Sequence, residues 1–132
     1  MRRIAFRAGS LCLAASLAVA GGVAIAEPTL SPGRRFSEQG GEALYANACQ
    51  ACHMSHGEGA VGAGRYPSLA SNQTLETAPY AIYVALHGQR AMPPVGRLMT
   101  DEQVAEVINY IRTHFGNSYK DVVTAGQVRD AR

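Results

Sequence analysis

The chain predicts an all-α fold, and three observations predict it. Apolar residues recur at helical spacing in three stretches, Gly- and Pro-rich segments separate those stretches, and no convincing strand pattern intervenes. A chain of 132 residues with this punctuation describes one domain of short helices joined by ordered loops. No internal repeat or low-complexity tract interrupts it.

The N-terminus comes first. Arg2, Arg3 and Arg7 stand without an acid, and the apolar, small-residue stretch 8–26 ends in Ala24-Ile25-Ala26 before Glu27. This is the form of a secretory signal with an A-x-A cleavage site. Arg7 and Gly21-Gly22 interrupt the run and no stop-transfer segment follows, so the reading is an exported mature chain without a transmembrane anchor. Cys12 follows Leu11 rather than the small residue that lipid attachment would want, and leaves with the signal. The expected organisation is a signal peptide at 1–26, a flexible leader at 27–36 and a domain at 37–132.

Cleavage changes the charge argument. Three of the 12 Lys and Arg lie in 1–26 and none of the 10 Asp and Glu, so the mature chain carries nine bases against ten acids. The precursor pI of about 8.6 therefore gives no electrostatic case for nucleic acid or an anionic membrane. At this length the core is near the small end for self-sufficiency, and a buried cofactor would supply apolar surface that the sequence lacks.

The first helical stretch runs from Ser37 to Cys49, with Leu44, Tyr45, Ala48, Cys49, Cys52 and His53 on one stripe. Gly40 and Gly41 weaken its start, which means either a close approach by another backbone or a helix that begins at Gly41. The second follows Ala78-Pro79, with Pro79 at the first helical position, Ile82, Ala85 and Leu86 on one face and Gly88 as the stop. The third opens on Thr100-Asp101-Glu102-Gln103, a capping box, and places Val104, Val107, Ile108, Ile111 and Phe115 on one face before Gly116. A last amphipathic stretch lies near Val122 to Val128. The segments 57–67 and 90–96, rich in Gly and Pro, are expected to be ordered loops around a cofactor.

That cofactor is written in Cys49-Gln50-Ala51-Cys52-His53, the C-x-x-C-H pattern of covalent haem attachment. In a helical turn, thiols at i and i+3 share a face and can meet both vinyl groups on one porphyrin edge, while the imidazole at i+4 reaches the iron. A thioredoxin-like dithiol would want a βαβ pattern, and structural zinc would want further ligands that the chain lacks. The expectation is one haem c held by Cys49 and Cys52 with His53 as proximal ligand. A thioether is the usual sixth ligand of an electron carrier because it favours reduced iron. Met92, in the Pro-stiffened Ala91-Met92-Pro93-Pro94, is placed ahead of Met99, which precedes the Thr100 cap and can pack as a staple. His87 or an open position comes behind both, and Met54 is too close to His53 to reach the opposite face.

The chain resembles a class I cytochrome c. Gly41-x3-Tyr45-x3-Cys49-x2-Cys52-His53 is similar to the family's first helix, Val107 and Tyr110 to its C-terminal partner, and Met92-Pro93-Pro94 to its Met-ligand loop. The resemblance covers about residues 37–116. It implies crossing N- and C-terminal helices, and a Pro67 carbonyl that accepts the second imidazole N–H of His53 and fixes its ring plane. Pro67-Ser68-Leu69-Ala70, Leu86-His87-Gly88 and the segment 110–117 further resemble cytochrome subunits that accompany bacterial alcohol, aldehyde and sorbitol-type dehydrogenases. Those chains often carry three haems, and this one has a single motif.

What the resemblance implies is a periplasmic one-electron carrier, not an enzyme, that takes electrons from a dehydrogenase and passes them to an oxidase or another cytochrome. Arg65, Arg90 and Arg97, in the loops flanking the haem, would steer an acidic partner, pair with propionates or simply be solvated. A haem enzyme or sensor with a displaceable sixth ligand is the rival class, with His56 and His87 as its distal candidates. A third class is a dedicated subunit in which the segment after Gly116 clamps a larger dehydrogenase.

Overall fold

Gly41 decides how the two principal helices meet. Helix α1 (Gly41–Ala48) and helix α4 (Asp101–Thr113) approach so closely there that a Cβ on Gly41 would run into the Glu106 carbonyl oxygen and the Tyr110 Cβ. The start of α1 carries no side-chain cap of its own. Instead the Glu106 carboxylate of α4 accepts the Gly40 N–H at 2.9 Å, so one helix caps the other. Gly41→Ala should therefore destabilise the protein. The helix-propensity gain of about 1 kcal/mol is outweighed by overpacking against rigid backbone, which costs about 3 kcal/mol. The check is a denaturant midpoint that falls by the equivalent of about 2 kcal/mol.

The structure is a computed structural model that describes residues 35–62 and 64–132. The stretch 1–26 expected to be a signal, with Cys12, and the expected leader up to residue 34 lie outside the described residues. Among the described residues there are five helices: α1, α2 (Gln50–His53), α3 (Ala78–His87), α4 and α5 (Ala125–Asp130). Single 3-10 turns at Gln73–Glu76 and Val95–Leu98 precede α3 and α4. The fold is helix-rich, as expected.

One boundary is decided between two expected starts, and two features differ from expectation. The first helix begins at Gly41, the later of the two starts the sequence allows, because Phe36 and Glu38 are tied instead to α4 through their carbonyls, which accept from Gln103 Nε2 at 3.0 and 2.9 Å. Phe115 is not on α4. The helix ends at Thr113, and Phe115 turns into the left-handed region at φ 57°, where it still packs on Tyr45 with ring centroids 4.8 Å apart. The loop 57–67 contains a two-stranded antiparallel ribbon, β1 (Ala60–Val61) and β2 (Arg65–Tyr66), too short to show as alternation in the sequence.

The core lies between α1, α3, α4 and α5. Leu44, Tyr45, Ile82, Leu86, Val104, Val107, Ile108 and Val128 are buried together with Met99. Thr100 and Gln103 form the capping box of α4 in both directions, and Met99 immediately before it is only 2% exposed. Pro79 sits in the first turn of α3 and Gly88 ends that helix at φ 74°. Val123 and Val128 are buried while Val122 is 71% exposed, so the closing amphipathic element is α5 with its lead-in. The Asn109 side chain grips Val123 through both its backbone polar groups, at 2.8 and 2.9 Å.

Candidate haem site

The Cys49–His53 turn is built as a continuation of α1. Cys49 caps α1 with its N–H on the Tyr45 carbonyl at 2.9 Å, and the Cys52 and His53 N–H groups both donate to the Cys49 carbonyl, at 3.1 and 2.9 Å. One turn thus carries both sulfurs and the imidazole. The thiols are unpaired and half-buried. Burial, with a smaller contribution from Cys52, pushes the Cys49 thiol up to about 12. That is the opposite of the thiolate that thiol–disulfide exchange requires.

His53 is 8% exposed, and its Nδ1 lies 2.9 Å from the Pro67 carbonyl oxygen. A carbonyl can only accept, so Nδ1 carries the proton and Nε2 is left with a free lone pair. The loop between them is folded to hold that contact. Gly59 N–H donates to the His53 carbonyl at 3.1 Å, and the Gly57 carbonyl accepts from Leu69 and Ala70 N–H at 2.6 and 3.0 Å. Gly59, at φ 68°, passes so close to Tyr66 and Pro67 backbone that a Cβ would not fit. Tyr45 closes the turn from beneath: its hydroxyl donates to the Met54 carbonyl at 2.7 Å, and burial raises its pKa to about 12.

Met92 lies on a separate segment after α3. Its N–H and carbonyl pair with Gln89 at 2.9 and 3.1 Å, which closes a tight turn over Arg90, at φ 55°, and Ala91. A Cβ on Gly88 would come within 2.5 Å of the Met92 carbonyl oxygen, so that position too requires glycine. Met92 is half-buried, whereas Met99 is enclosed in the core. His56 is exposed with its N–H on Glu58 Oε2 at 2.8 Å, and His87 Nε2 lies 3.1 Å from the Ala131 carbonyl. Arg65, Arg90 and Arg97 are all exposed, on β2, the Met92 turn and the following 3-10 turn.

Sequence reasoning does not single out the polar side chains that hold these loops. Asn117, 7% exposed, donates to the Leu69 and Ile111 carbonyls at 2.8 and 2.9 Å and accepts the Asn72 N–H at 2.9 Å, which fastens the segment after Pro67 to the end of α4. Arg112 is 1% exposed and hydrogen-bonds the backbone of Leu75, Glu76 and Asp121. Its position is legible in one respect: Val104, Ile108 and Arg112 continue one i, i+4 register along the buried face.

The donor set fits a haem c. Two uncommitted thiols lie one helical turn apart, and an imidazole with a free Nε2 follows directly. Among the described residues no group of three or more His, Cys, Asp or Glu side chains gathers that could hold a bare metal ion.

A helix-rich domain with this turn, its imidazole steadied through the second ring nitrogen, has the make-up of a c-type cytochrome. Residues 37–111 match the family described as Cytochrome C oxidase, cbb3-type, subunit III, and the chain belongs to that cytochrome c family. It is similar to the fructose dehydrogenase cytochrome subunit of Gluconobacter japonicus, at 35% identity over 107 residues covering 70% of this chain and 22% of that subunit. With the alcohol dehydrogenase (quinone) cytochrome c subunit of Gluconacetobacter polyoxogenes it shares 31% identity over 116 residues, 78% of this chain and 24% of the subunit. Cytochrome c6 of Parathermosynechococcus lividus is 31% identical over 72 residues, 54% of this chain and 83% of that protein. The match therefore spans less than a quarter of each dehydrogenase subunit. No helix among the described residues is long and apolar enough to cross a membrane.

Proposed function

We propose that this chain is a periplasmic one-electron carrier that holds one haem c through Cys49 and Cys52, with His53 and Met92 as axial ligands and a dehydrogenase as electron donor. When bound, the haem supplies reversible one-electron Fe(III)/Fe(II) chemistry. The observation that carries the reading is the His53 imidazole, whose Nδ1–H is committed to the Pro67 carbonyl and whose Nε2 is free beside two unpaired thiols. The chain's work is to anchor, orient and exclude water. The Pro67 contact fixes the imidazole tautomer and ring plane and raises its basicity as a ligand. The α1–α4 contact keeps the attachment turn rigid.

Met92 is favoured over Met99 because Met99 is spent in the core, while Met92 stands on a pinned turn that leads into Pro93-Pro94. His87 is engaged with the Ala131 carbonyl, which argues against it as a ligand. The donor assignment rests on the names of the relatives, cytochrome subunits of fructose and alcohol dehydrogenases. The acceptor is a terminal oxidase or a further cytochrome. Arg65, Arg90 and Arg97 provide positive charge for an acidic face on either partner, in an encounter that is small and transient.

The test is optical. The ferric wild-type holoprotein should show a thioether-to-iron charge-transfer band, and Met92→Ala should abolish it and lower the midpoint potential. A band that persists in Met92→Ala moves the ligand to Met99. A five-coordinate wild-type spectrum defeats the carrier reading in favour of a ligand-binding haem.

A further inference from the structure

The segment beyond α4 returns to the other end of the molecule and grips the Met92 loop. Val128, with no exposed surface, plants α5 in the core. From the turn that ends it, the Arg132 guanidinium reaches three partners: Nη2 donates to the Met99 and Gly96 carbonyls at 3.0 and 3.4 Å, and Nε pairs with Asp101 Oδ1 at 2.5 Å. One residue earlier, the Ala131 carbonyl accepts from His87 Nε2 at 3.1 Å. His87 is the last residue of α3, and Gly88 after it abuts the Met92 carbonyl. The turn after α5 therefore holds the entry to the Met92 loop through His87 and its exit through Arg132.

The buried Met99 side chain anchors the far end of the loop, and few long-range hydrogen bonds hold the stretch before it. Its own bonds are short-range, Val95 N–H on the Pro93 carbonyl, Arg97 on Pro94 and Met99 on Gly96. Beyond these turns, the Leu98 carbonyl accepts the Phe36 N–H at 3.1 Å, and Gly96 lies against the backbone of Ala85. A planar guanidinium that serves two loop carbonyls and a helix-start carboxylate at once is a fork that a point charge cannot replace.

We propose that the turn after α5 is a clamp that sets how readily Met92 leaves the iron, with Arg132 as its positioning residue. The proposal rests on Met92 being the sixth ligand. Opening of the loop is a local event, and its population depends on the hydrogen bonds and packing that must break for the loop to move. At the exit those include the two hydrogen bonds from Arg132 to the Gly96 and Met99 carbonyls, which reach across more than thirty residues of chain and are the ones a single side chain supplies.

Imidazole titration of the ferric holoprotein reads this directly, because exogenous imidazole binds only where the Met has swung away. Arg132→Ala should raise the apparent imidazole affinity about fivefold, and Arg132→Lys by less, since both hydrogen bonds to the loop carbonyls disappear in the first, along with the Asp101 pair, and one can be kept in the second. Arg129→Ala, which removes an exposed charge from the same helix, should leave it unchanged. Amide exchange at Arg97 and Met99 should accelerate by a similar factor in Arg132→Ala while α1 amides keep their protection. A rise of under twofold overturns the clamp, as does acceleration spread equally over α1 and α4, which would mark a purely global loss of stability. A thioether band that survives Met92→Ala instead overturns the ligand assignment, and the clamp with it.

Discussion

Arg112→Leu should destabilise the folded holoprotein by about 3–5 kcal/mol, with the denaturant slope unchanged. The guanidinium is 1% exposed and donates to the carbonyls of Leu75, Glu76 and Asp121 at 2.8, 3.1 and 2.6 Å and to Asp121 Oδ1 at 2.7 Å. The Tyr119 ring lies 5.5 Å from its centre. Leucine fills part of the volume but leaves those carbonyls in a space with no donor, and each such orphan costs about 1–3 kcal/mol. Arg112→Lys should fall between, because an ammonium cannot present the four directed donors that the fork does. The check is a pair of urea titrations. A loss of less than about 1 kcal/mol in Arg112→Leu would mean the carbonyls find water instead.

The partner carboxylate sets a pH dependence. Its hydrogen bond from Arg112 is the main reason the Asp121 carboxyl titrates below its ordinary value. A carboxyl depressed in the folded state stabilises above its unfolded pKa, and that contribution is lost as pH falls through the folded value. Asp121 is 68% exposed, so screening keeps the effect small. Asp121→Asn should remove that part of the acid limb and lower the neutral plateau by the same small amount, so that urea midpoints of variant and wild type differ at neutral pH and converge at acid pH.

Legibility followed how local the physics was. The attachment turn, the Thr100 capping box, the Pro79 start and the Gly88 stop of α3 each depend on residues within about one helical turn, and each could be read as spacing. Gly41 was visible as an anomaly, but the chain does not say that Glu106 would cap it. What escaped were long-range polar fastenings: Gln103 on Phe36 and Glu38, Asn117 on Leu69, and Arg132 on Gly96 and Met99. Such contacts have no period. Phe115 shows the complementary failure, since helical spacing continued past the point where Thr113 and His114 ended the helix. The candidate haem residues thus carry a local sequence signature, and the contacts that hold them in place do not.

The two thiols should behave non-additively when removed. With either one present, a haem on the proposed ligands His53 and Met92 stays tethered, at an effective concentration on the order of millimolar. With both gone, it must be recruited from solution at about micromolar concentration, a loss of ~10³ in effective concentration or about 4 kcal/mol. Cys49→Ala and Cys52→Ala should each keep the pigment on the polypeptide through acid–acetone extraction, while the double variant releases it. Because Cys49 packs against the hydrophobic core at the end of α1, Cys49→Ala should cost more folding stability than Cys52→Ala. Pigment that stays bound through extraction of the double variant would show that the thiols are not its anchors. Release from either single variant would mean that one thioether alone does not hold it.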